Sequence, residues 1–249
     1  DYIRAHKPGA DGKVEISTDY PDYLPFRSYA TNEAARKRLW VEYQNRAYPQ
    51  NDDVLKRLLT LRKELANLLG FATYADYVTE DKMIQSAQNA DDFINKIAKV
   101  ADGPAQRDLK TLLARKHKDD PKAKRVNGWE ISFYEELVKK EQLGFDSQSV
   151  RPYFEFGQTR DGLLAVTSKL FGVEYKKVEN VDVWNKDVDV YDVTQNGAKL
   201  GRIYLDLHPR ENKYKHAAQF TLVSGVAGQQ LPEGVLVCNF PDPATSDGP

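Results

Sequence analysis

The chain has 249 residues, which is enough for one large domain or two small ones with a buried core. Its 36 basic and 37 acidic side chains leave a formal net charge of -1, so the charge gives no reason to expect a nucleic acid or an anionic membrane as a partner. The single cysteine, Cys238, excludes an internal disulfide and favours a reducing intracellular compartment such as the cytoplasm. No apolar run approaches the roughly 18 to 20 residues of a membrane-spanning helix, so we expect a soluble chain.

Residues 1–30 are rich in turn-forming residues and are predicted to form a turn-rich N-terminal segment. Lys13–Ser17 alternates apolar and polar side chains, which predicts a short strand. Pro21 and Pro25 restrict the residues before them and predict extended backbone there. The first helix is therefore expected after residue 30.

Helical periodicity runs through residues 31–171, which are predicted to form a helical region. Thr31 is the predicted N-cap of a helix that Pro49 ends. Asn51 is predicted to cap a second helix, with a wide leucine face and Gly70 just past its last residue. A shorter helix is expected from Thr73 through Val78, and others over 90–101, 105–117, 127–138 and 159–171.

Three local signals set the boundaries of the later helices. The Gly103-Pro104 pair is predicted to interrupt or kink the helical pattern around it. Asn127 and Thr159 are the predicted starts of the last two helices, and Gly172 ends the final one. The charged run between residues 116 and 125 changes sign around a proline, which indicates an exposed loop.

After Gly172 the apolar period changes from 3.6 to two, which predicts a β-sheet over residues 173–240. Asn196-Gly197 lies between two alternating runs and predicts a hairpin with a loop of about four residues. Further strands are expected at 217–223 and 235–240, and a loop at 241–249. The predicted fold class is α+β, with a mostly helical region followed by a largely antiparallel or mixed sheet of four or five strands.

The residues alone show no catalytic constellation. A helical zinc site needs two histidines one turn apart with a glutamate beside the first, and the chain has no such motif. The four histidines are widely spaced, and we expect them at the surface or in hydrogen bonds, with no metal held by this chain: His6, His117, His208 and His216. Cys238 lies in an apolar strand and is predicted to be a small buried hydrophobe.

Several polar and aromatic side chains have structural interpretations that we prefer to functional ones. Asp206 is predicted to pair with a nearby base. Arg210, Lys213 and His216 are expected in a solvated turn. The three tryptophans are predicted to be core anchors: Trp40, Trp129 and Trp184.

A set of sequence blocks, in order along residues 40–240, resembles the thimet oligopeptidase and oligopeptidase A family of zinc metallopeptidases. Each block alone is unspecific, but a chance match of all of them in sequence is improbable. The blocks are Leu61–Phe71, Tyr74–Tyr77, Lys82-Met83, Trp129, Phe133-Tyr134, Tyr153-Phe154, Leu163-Leu164, Leu170–Val173, Val183–Val188, Gly201–Ala218 and Leu236–Phe240.

The resemblance implies a zinc-dependent oligopeptidase that cleaves short peptides in a deep channel between two largely helical halves. In that family a His-Glu-Phe-Gly-His helix follows soon after the strand that matches Leu236–Phe240, and a glutamate ligand comes later. Pro249 lies before any such motif. We therefore expect this chain to be an internal piece of the enzyme, inactive alone, with zinc held by the missing C-terminal half.

The resemblance also implies one binding role. The strand Leu236–Phe240 matches the family's strand at the border of the cleft, where main-chain hydrogen bonds can hold an extended peptide. The predicted substrate-binding residues are Val237, Cys238, Asn239 and Phe240. A plain sheet edge without substrate contact is the structural alternative.

Two other functions stay open at the level of the sequence. The chain could be a non-catalytic peptide-binding or scaffold module, which would bind peptides without turnover. It could also work in an assembly in which a separate chain supplies the zinc helix. In each case apolar faces left uncovered favour self-association.

Overall fold

The computed structural model describes residues 2–243, in which helices precede a sheet. The helices are α1 (Tyr2–Ala5), α2 (Tyr20–Tyr29), α3 (Glu33–Gln44), α4 (Asp52–Leu68), α5 (Tyr74–Thr79), α6 (Ala87–Lys116), α7 (Ile131–Leu143) and α8 (Phe156–Phe171), with a 3-10 helix at Arg151–Tyr153. The strands are β1 (Glu174–Lys177), β2 (Asp189–Gln195), β3 (Ala198–Asp206), β4 (Ala218–Val223) and β5 (Glu233–Val237). The predicted α+β class is confirmed.

The chain divides into two compact units. The helical unit is Arg27–Leu143, and the sheet unit joins the residues up to Phe26 with those from Gly144 onward. The last helix, α8, therefore belongs with the sheet, so the sequence-based boundary between residues 171 and 173 does not coincide with this division. Among residues 2–243, no helix is both long and apolar enough to cross a membrane.

The sheet has the strand order β1-β2-β3-β5-β4 and is mixed. Neighbouring strands are antiparallel except β3 and β5, which run parallel with Asp206 opposite Val237. β1 and β4 are therefore the edge strands, and β5 lies between β3 and β4. The expectation of a mixed sheet with four or five strands is confirmed.

Alternation along the strands gives the sheet two apolar faces. One face carries a buried cluster of Val188, Val190, Tyr204, Val235 and Val237. Val178, Val181 and Val183, from the segment before β2, cover part of this cluster. The other face packs against α8 through Phe156 and Leu164, which contact Tyr191, Leu205, Leu207 and Cys238. The sheet core thus lies on both sides of β3 and β5.

The hairpin between β2 and β3 is tighter than predicted. Only Asn196 and Gly197 separate the strands, and their φ angles are 51° and 80°. Left-handed backbone at both central positions is typical of a type I′ turn, which glycine and asparagine tolerate best. The Asn-Gly signal was sufficient to place the hairpin, but its loop has two residues instead of about four.

The N-terminal segment differs from its sequence-based prediction. Residues 13–17 form no strand, and α2 includes both Pro21 and Pro25. Pro21 is in the first helical turn, where a missing N–H costs little because that group has no intrahelical partner. The expectation of extended backbone at these prolines is therefore wrong.

Helix boundaries in the helical unit follow side-chain caps that the periodicity did not identify. α3 begins after Asn32, whose side chain accepts a hydrogen bond from the Ala35 N–H, so the prediction of Thr31 as the cap is one residue early. α6 continues through Pro104 without ending. The long helical segments on both sides offset the hydrogen bond that a proline removes from a helix interior.

Two further helices begin at residues other than the predicted ones. α7 begins at Ile131 after a turn, so Trp129 lies before the helix that Asn127 was expected to cap. α8 begins at Phe156 instead of Thr159, because the Glu155 carboxylate accepts hydrogen bonds from the Gly157 and Gln158 N–H groups. The short helix expected from Thr73 through Val78 is α5, which begins at Tyr74 after the N-cap Thr73. The predicted ends at Gly70 and Gly172 are confirmed, and both glycines have positive φ angles.

A buried ion pair joins the helices of the helical unit. Lys116 in α6 donates hydrogen bonds of 2.6 and 2.7 Å to the two carboxylate oxygens of Glu130, which is fully buried. The N–H and side-chain amide of Asn127 donate to the same carboxylate. Hydrogen bonds from these groups lower the pKa of Glu130 although burial alone would raise it.

Apolar faces of several helices remain exposed within their own unit. In α4, Leu58 is 42% exposed, Leu65 43% and Leu68 83%. α6 exposes Phe93, Ile94, Ile97 and Val100, and α8 exposes Leu163, Val166, Leu170 and Phe171. The amphipathic pattern therefore predicted the helices but not the burial of their apolar sides.

Candidate functional site

The C-terminal ends of β3 and β5 carry a concentrated group of polar contacts centred on Asp206. The Asp206 carboxylate accepts hydrogen bonds from both terminal nitrogens of Arg210, at 2.7 and 2.8 Å, and from the Trp184 indole N–H at 2.9 Å. Lys213 Nζ lies 2.9 Å from Asp206 Oδ1. The prediction that Asp206 pairs with a nearby base is confirmed, and it pairs with two.

Burial and hydrogen bonding act in opposite directions on the Asp206 carboxyl, which is 3% exposed. Burial raises its pKa, but hydrogen bonds from Arg210, Lys213 and Trp184 outweigh that effect and hold the pKa well below its usual range. Asp206 is therefore ionised at neutral pH. A carboxylate held in this state by three donors is suited to a structural role.

Lys213 links the Asp206 group to the segment between β3 and β4, which we call the 207–217 loop. Its ammonium donates to the Asp206 and His208 carbonyl oxygens at 2.9 and 2.5 Å. Lys213 is 8% exposed, so the expectation of a solvated side chain is wrong for this residue. Trp184 is half exposed and binds Asp206 from the sheet surface, so the prediction of a core anchor is also wrong.

The predicted substrate-binding residues lie where β5 ends. Val237 is the last residue of β5 and pairs with Asp206 of β3 on one side and Ala218 of β4 on the other. Its main chain is therefore inside the sheet. The other three residues follow the strand, which ends three residues earlier than Phe240, the predicted end.

Main-chain hydrogen bonds continue past β5 on the side of β3. The Cys238 N–H donates to the Asp206 carbonyl and the Phe240 N–H to the Leu207 carbonyl, both at 2.9 Å. Because alternate N–H groups of an extended chain point to opposite sides, the Asn239 N–H faces away from β3. Within residues 2–243, no hydrogen bond uses that N–H.

The side chain of Asn239 fixes the residue in place. Its amide nitrogen donates to the Tyr214 carbonyl at 3.0 Å and to the His216 carbonyl at 3.2 Å. Both carbonyls belong to the end of the 207–217 loop, directly before β4. Asn239 Oδ1 is buried and has no hydrogen-bond partner among the described residues.

The open edge of the sheet near this site is β4, which the sequence analysis did not single out as a docking element. Phe220 is 45% exposed on β4, and its ring packs edge-on against Tyr214 at a centroid distance of 6.0 Å. Tyr214 in turn lies beside His216, whose ring contacts Tyr20. An exposed strand edge flanked by aromatic rings can accept an extended peptide.

Cys238 and His208 have structural contacts at this site. Cys238 is buried in the sheet core, and burial raises the pKa of its thiol, so the prediction of a buried hydrophobe is confirmed. The His208 ring lies 4.7 Å from the Phe156 ring, and its Nδ1 is 3.2 Å from the Phe240 carbonyl oxygen. These contacts hold the segment after β5 against α8.

The histidines contact different neighbours within their own units. His6 lies 3.1 Å from an Asp22 carboxylate oxygen and stacks on Tyr2, and His117 hydrogen-bonds the Ala123 carbonyl. In the part of the chain that the structure describes, no group of three or more His, Cys, Asp or Glu side chains could hold a metal ion. These residues therefore do not fit a zinc site.

The helical unit has a cleft of about 380 Å³ between α6 and α7. Its charged side chains already pair with one another, because Arg115 and Lys118 both donate to Glu141 at 2.6 Å. Arg115 also binds Asp119. The cleft therefore presents no unpaired charge from these residues to a ligand.

Comparison with known proteins identifies the family. A model of peptidase family M3 matches residues 26–249. The chain belongs to peptidase family M3. This M3 chain is 32% identical to Oligopeptidase A of Escherichia coli over 92% of its own length and 35% of that relative. It is 31% identical to Saccharolysin of Saccharomyces cerevisiae, over 99% of the chain and 37% of the relative.

A relative with a different name lies at slightly lower identity. The Thimet-like oligopeptidase of Dictyostelium discoideum is 28% identical over 93% of the M3 chain and 37% of its own length. The chain therefore spans about a third of the length of the curated relatives that it matches. The resemblance drawn from the sequence blocks is confirmed at the level of the family.

Proposed function

We propose that the protein to which this chain belongs is a zinc-dependent oligopeptidase that hydrolyses short peptides. The observation that carries the proposal is the family M3 match over residues 26–249. The names of the relatives support it, since they are Oligopeptidase A, Saccharolysin and Thimet-like oligopeptidase. Within that protein, this chain contributes scaffold and a surface for peptide docking.

The metal is assigned to residues outside this chain. Because the described histidines, carboxylates and Cys238 form no ligand group, we derive no catalytic step through a metal from them. The chain alone is proposed to be inactive, with the zinc-binding part of the protein as its partner.

Peptide docking is proposed at residues 237–240 and along β4. The main chain of Val237 is already paired with both neighbouring strands, so we propose that Val237 positions the docking surface and does not itself bind the peptide. The outer edge of β4 offers main-chain groups to an extended peptide, in the manner of strand addition. Main-chain recognition of this kind is independent of peptide sequence.

A cleavage assay tests the function. The full-length protein is expected to cleave a quenched fluorescent nonapeptide and to lose that activity with a metal chelator, whereas the 249-residue chain alone shows no cleavage. Chelator-sensitive cleavage by the 249-residue chain alone would contradict the assignment of the metal. Peptide binding without turnover by the full-length protein would instead support the non-catalytic binding or scaffold module.

An assembly with a separate zinc-bearing chain is the third arrangement. Mass spectrometry of the purified active species distinguishes it, because a second polypeptide would be present beside this one. A single polypeptide containing both the zinc helix and residues 1–249 supports our proposal.

The exposed apolar faces support self-association of the isolated chain. Leu58, Leu65 and Leu68 of α4 and four apolar side chains of α6 are all at least 42% exposed within the helical unit. Apolar patches above a few hundred Å² are uncommon on monomers and favour association. Sedimentation of the isolated chain is expected to show oligomers, and a stable monomer would contradict this.

The proposed location is the cytoplasm or another reducing intracellular compartment. A single buried cysteine supports it, because no disulfide can form within the chain. Relatives carry the names Probable cytosolic oligopeptidase A and Organellar oligopeptidase A, chloroplastic/mitochondrial, both from Arabidopsis thaliana. Fractionation of cells that produce the full-length protein tests the location.

A further inference from the structure

We infer that Phe220 on β4 gives the proposed peptide site a preference for an aromatic or branched apolar side chain at one position of a docked peptide. The inference rests on the proposed function, since it concerns the same edge strand. It adds side-chain recognition at a single position to main-chain recognition that does not depend on the peptide sequence.

The direction of the main-chain groups of β4 follows from its pairing with β5. The Cys238 N–H donates to β3, so by alternation the main-chain groups of Val235 point toward β4, where Phe220 lies opposite. A Cβ added at Gly234 of β5 would lie 3.4 Å from the Phe220 carbonyl oxygen, which agrees with a carbonyl that points toward β5. The main-chain groups of Phe220 are therefore used inside the sheet, and those of its two neighbours in the strand point outward.

The outward-facing main-chain groups of β4 are consequently those of Gln219 and Thr221. β4 is an edge strand, and no strand lies beyond it among residues 2–243. After Thr221 the register shifts by one residue, so Leu222 has no opposite residue in β5 and forms a bulge that disrupts the regular ladder. The stretch that can pair with a peptide in regular register is therefore Ala218–Thr221.

Phe220 is the large side chain on one face of this stretch. Alternation along the strand places Phe220 and Ala218 on one face of β4 and the two polar side chains on the other. Phe220 lies directly opposite Val235, which belongs to a buried cluster of the sheet, so Phe220 shares that face. Its ring is 45% exposed and packs edge-on against Tyr214, which is 54% exposed. The two rings therefore form an apolar surface beside the open edge.

A peptide strand added antiparallel to β4 would place one of its residues directly opposite Phe220. The peptide residues on either side bind the outward groups of Gln219 and Thr221, so the pair with Phe220 is a non-hydrogen-bonded one. In such pairs the Cα atoms are only about 4.5 Å apart, and the two side chains contact each other on the same face. An aromatic or β-branched side chain there packs on Phe220 and Tyr214, whereas a carboxylate loses hydration against two rings.

The test compares two quenched fluorescent nonapeptides that carry phenylalanine or aspartate at one position of an otherwise alanine-rich sequence. The ratio of their kcat/KM values is measured on the full-length protein, with the substituted position moved along the peptide. Because both peptides are assayed on one preparation, the ratio does not depend on the fraction of active protein. In Phe220→Ala we expect the phenylalanine-to-aspartate ratio to fall about tenfold at one position and to stay within about twofold of wild type at the others.

The matched control is Phe171→Ala, which makes the same change at another exposed phenylalanine. Phe171 is 63% exposed at the end of α8, and the chain continues from there into β1, at the opposite edge of the sheet from β4. Its ratios should stay within about twofold of wild type at every position. An equal fall in both variants, or no fall at any position in Phe220→Ala, would overturn the inference.

Phe220→Lys gives a second test with a stronger expectation. A lysine directly opposite an aspartate forms a favourable cross-strand pair, so the ratio at the same position should fall below its value in Phe220→Ala. A phenylalanine preference that survives at this position in Phe220→Lys would contradict the inference. A lower thermal transition with unchanged ratios would show that another part of the full-length protein covers Phe220, and it would also overturn the inference.

Peptide anisotropy separates this inference from the proposed function. If the wild type binds fluorescein-labelled forms of the two peptides but never cleaves them, the proposed hydrolysis is wrong, and the ratio of their dissociation constants replaces the kinetic ratio. Chelator-sensitive cleavage with an unchanged ratio in Phe220→Ala retains the proposed function and overturns the role of Phe220. A wild type that neither binds nor cleaves these peptides overturns both.

Discussion

At the scale of single residues, Asp206 joins the end of β3 to three neighbouring side chains. It is buried against Lys213, whose side chain is 3% exposed, and it binds Arg210 and Trp184 as well. Removing one partner of a buried ion pair leaves the other charge without compensation, which typically costs about 3–5 kcal/mol. Asp206 therefore stabilises the fold through the groups that it pairs.

Asp206→Asn is expected to lower the free energy of unfolding of the full-length protein by about 3–5 kcal/mol in urea denaturation, because Lys213 loses its counter-charge. Asp182→Asn, the same change at an exposed aspartate, is the control and should have an effect within about 0.5 kcal/mol. Equal stability of the two variants would show that the Asp206 pair contributes nothing.

The low pKa of Asp206 predicts how this contribution depends on pH. Folding holds the pKa of Asp206 below its ordinary value of 3.8, so the ionised carboxylate stabilises the fold at pH values above 3.8. This stabilisation is lost as the pH falls toward the pKa of the folded state. The stability difference between wild type and Asp206→Asn should be constant from about pH 5 to 7 and shrink below about pH 4. Urea denaturation across this range measures it, and a difference that stays constant to about pH 2 would contradict it.

Residue-level prediction from the sequence succeeded where chemistry is local and failed where it depends on the fold. The pairing of Asp206 with a base was predicted from its place on the polar face of a strand, and Arg210, only four residues later, is one of its partners. The side-chain hydrogen bonds of Asn239 were not predicted, because its carbonyl partners lie more than twenty positions earlier in the chain. Lys213 was expected in solvent. Its burial could not be predicted, because it depends on the path of the whole 207–217 loop.

At the scale of elements, the close approach of β3 to the segment before β5 restricts residue size. A Cβ added at Gly201 would lie 2.7 Å from the Pro232 carbonyl oxygen, which accepts a hydrogen bond from the Arg202 N–H. The parallel pairing of β3 with β5 starts at this point, with Arg202 opposite Glu233. A side chain at residue 201 would therefore push the two strands apart.

Gly201→Ala is expected to destabilise the full-length protein by about 1–3 kcal/mol, because backbone must move to admit the methyl group. Gly162→Ala is the matched control, since that site in α8 has no atom within 4 Å of the new methyl group. Alanine is favoured over glycine in helices by about 1 kcal/mol, so the control should be neutral or stabilising. Thermal unfolding measures both, and a stabilising Gly201→Ala would contradict the observed approach.

The elements themselves were largely predictable, but their limits were not. Periodicity identified the leucine helix α4 and the β2–β3 hairpin, because both patterns are strong and local. The start of α8 was misplaced because Glu155 acts as the cap, and glutamate is not among the residues preferred at an N-cap, whereas threonine is. The continuation of α6 through Pro104 reflects long flanking helical segments, which a local rule for proline does not include.

At the scale of the whole molecule, the described residues form two compact units, and several helices expose apolar side chains. Membership of peptidase family M3 could be anticipated from the order of the sequence blocks and is shown by the match over residues 26–249. The position of β5 between β3 and β4 could not, because strand order depends on a parallel pairing between strands distant in sequence. Because β5 has a neighbouring strand on each side, the open edge of the sheet is β4 and not the strand that leads into residues 238–240.

The most direct test of our account is hydrogen–deuterium exchange of the chelator-treated full-length protein with and without a nonapeptide. A peptide added along the sheet edge should slow exchange of the outward-facing amides of β4, Ala218–Val223, because these N–H groups gain acceptors. The amides of Cys238 and Phe240 should change little, since they already donate to the Asp206 and Leu207 carbonyl oxygens. Peptide-dependent protection elsewhere, with none at β4, would contradict the claim that this chain forms the docking surface.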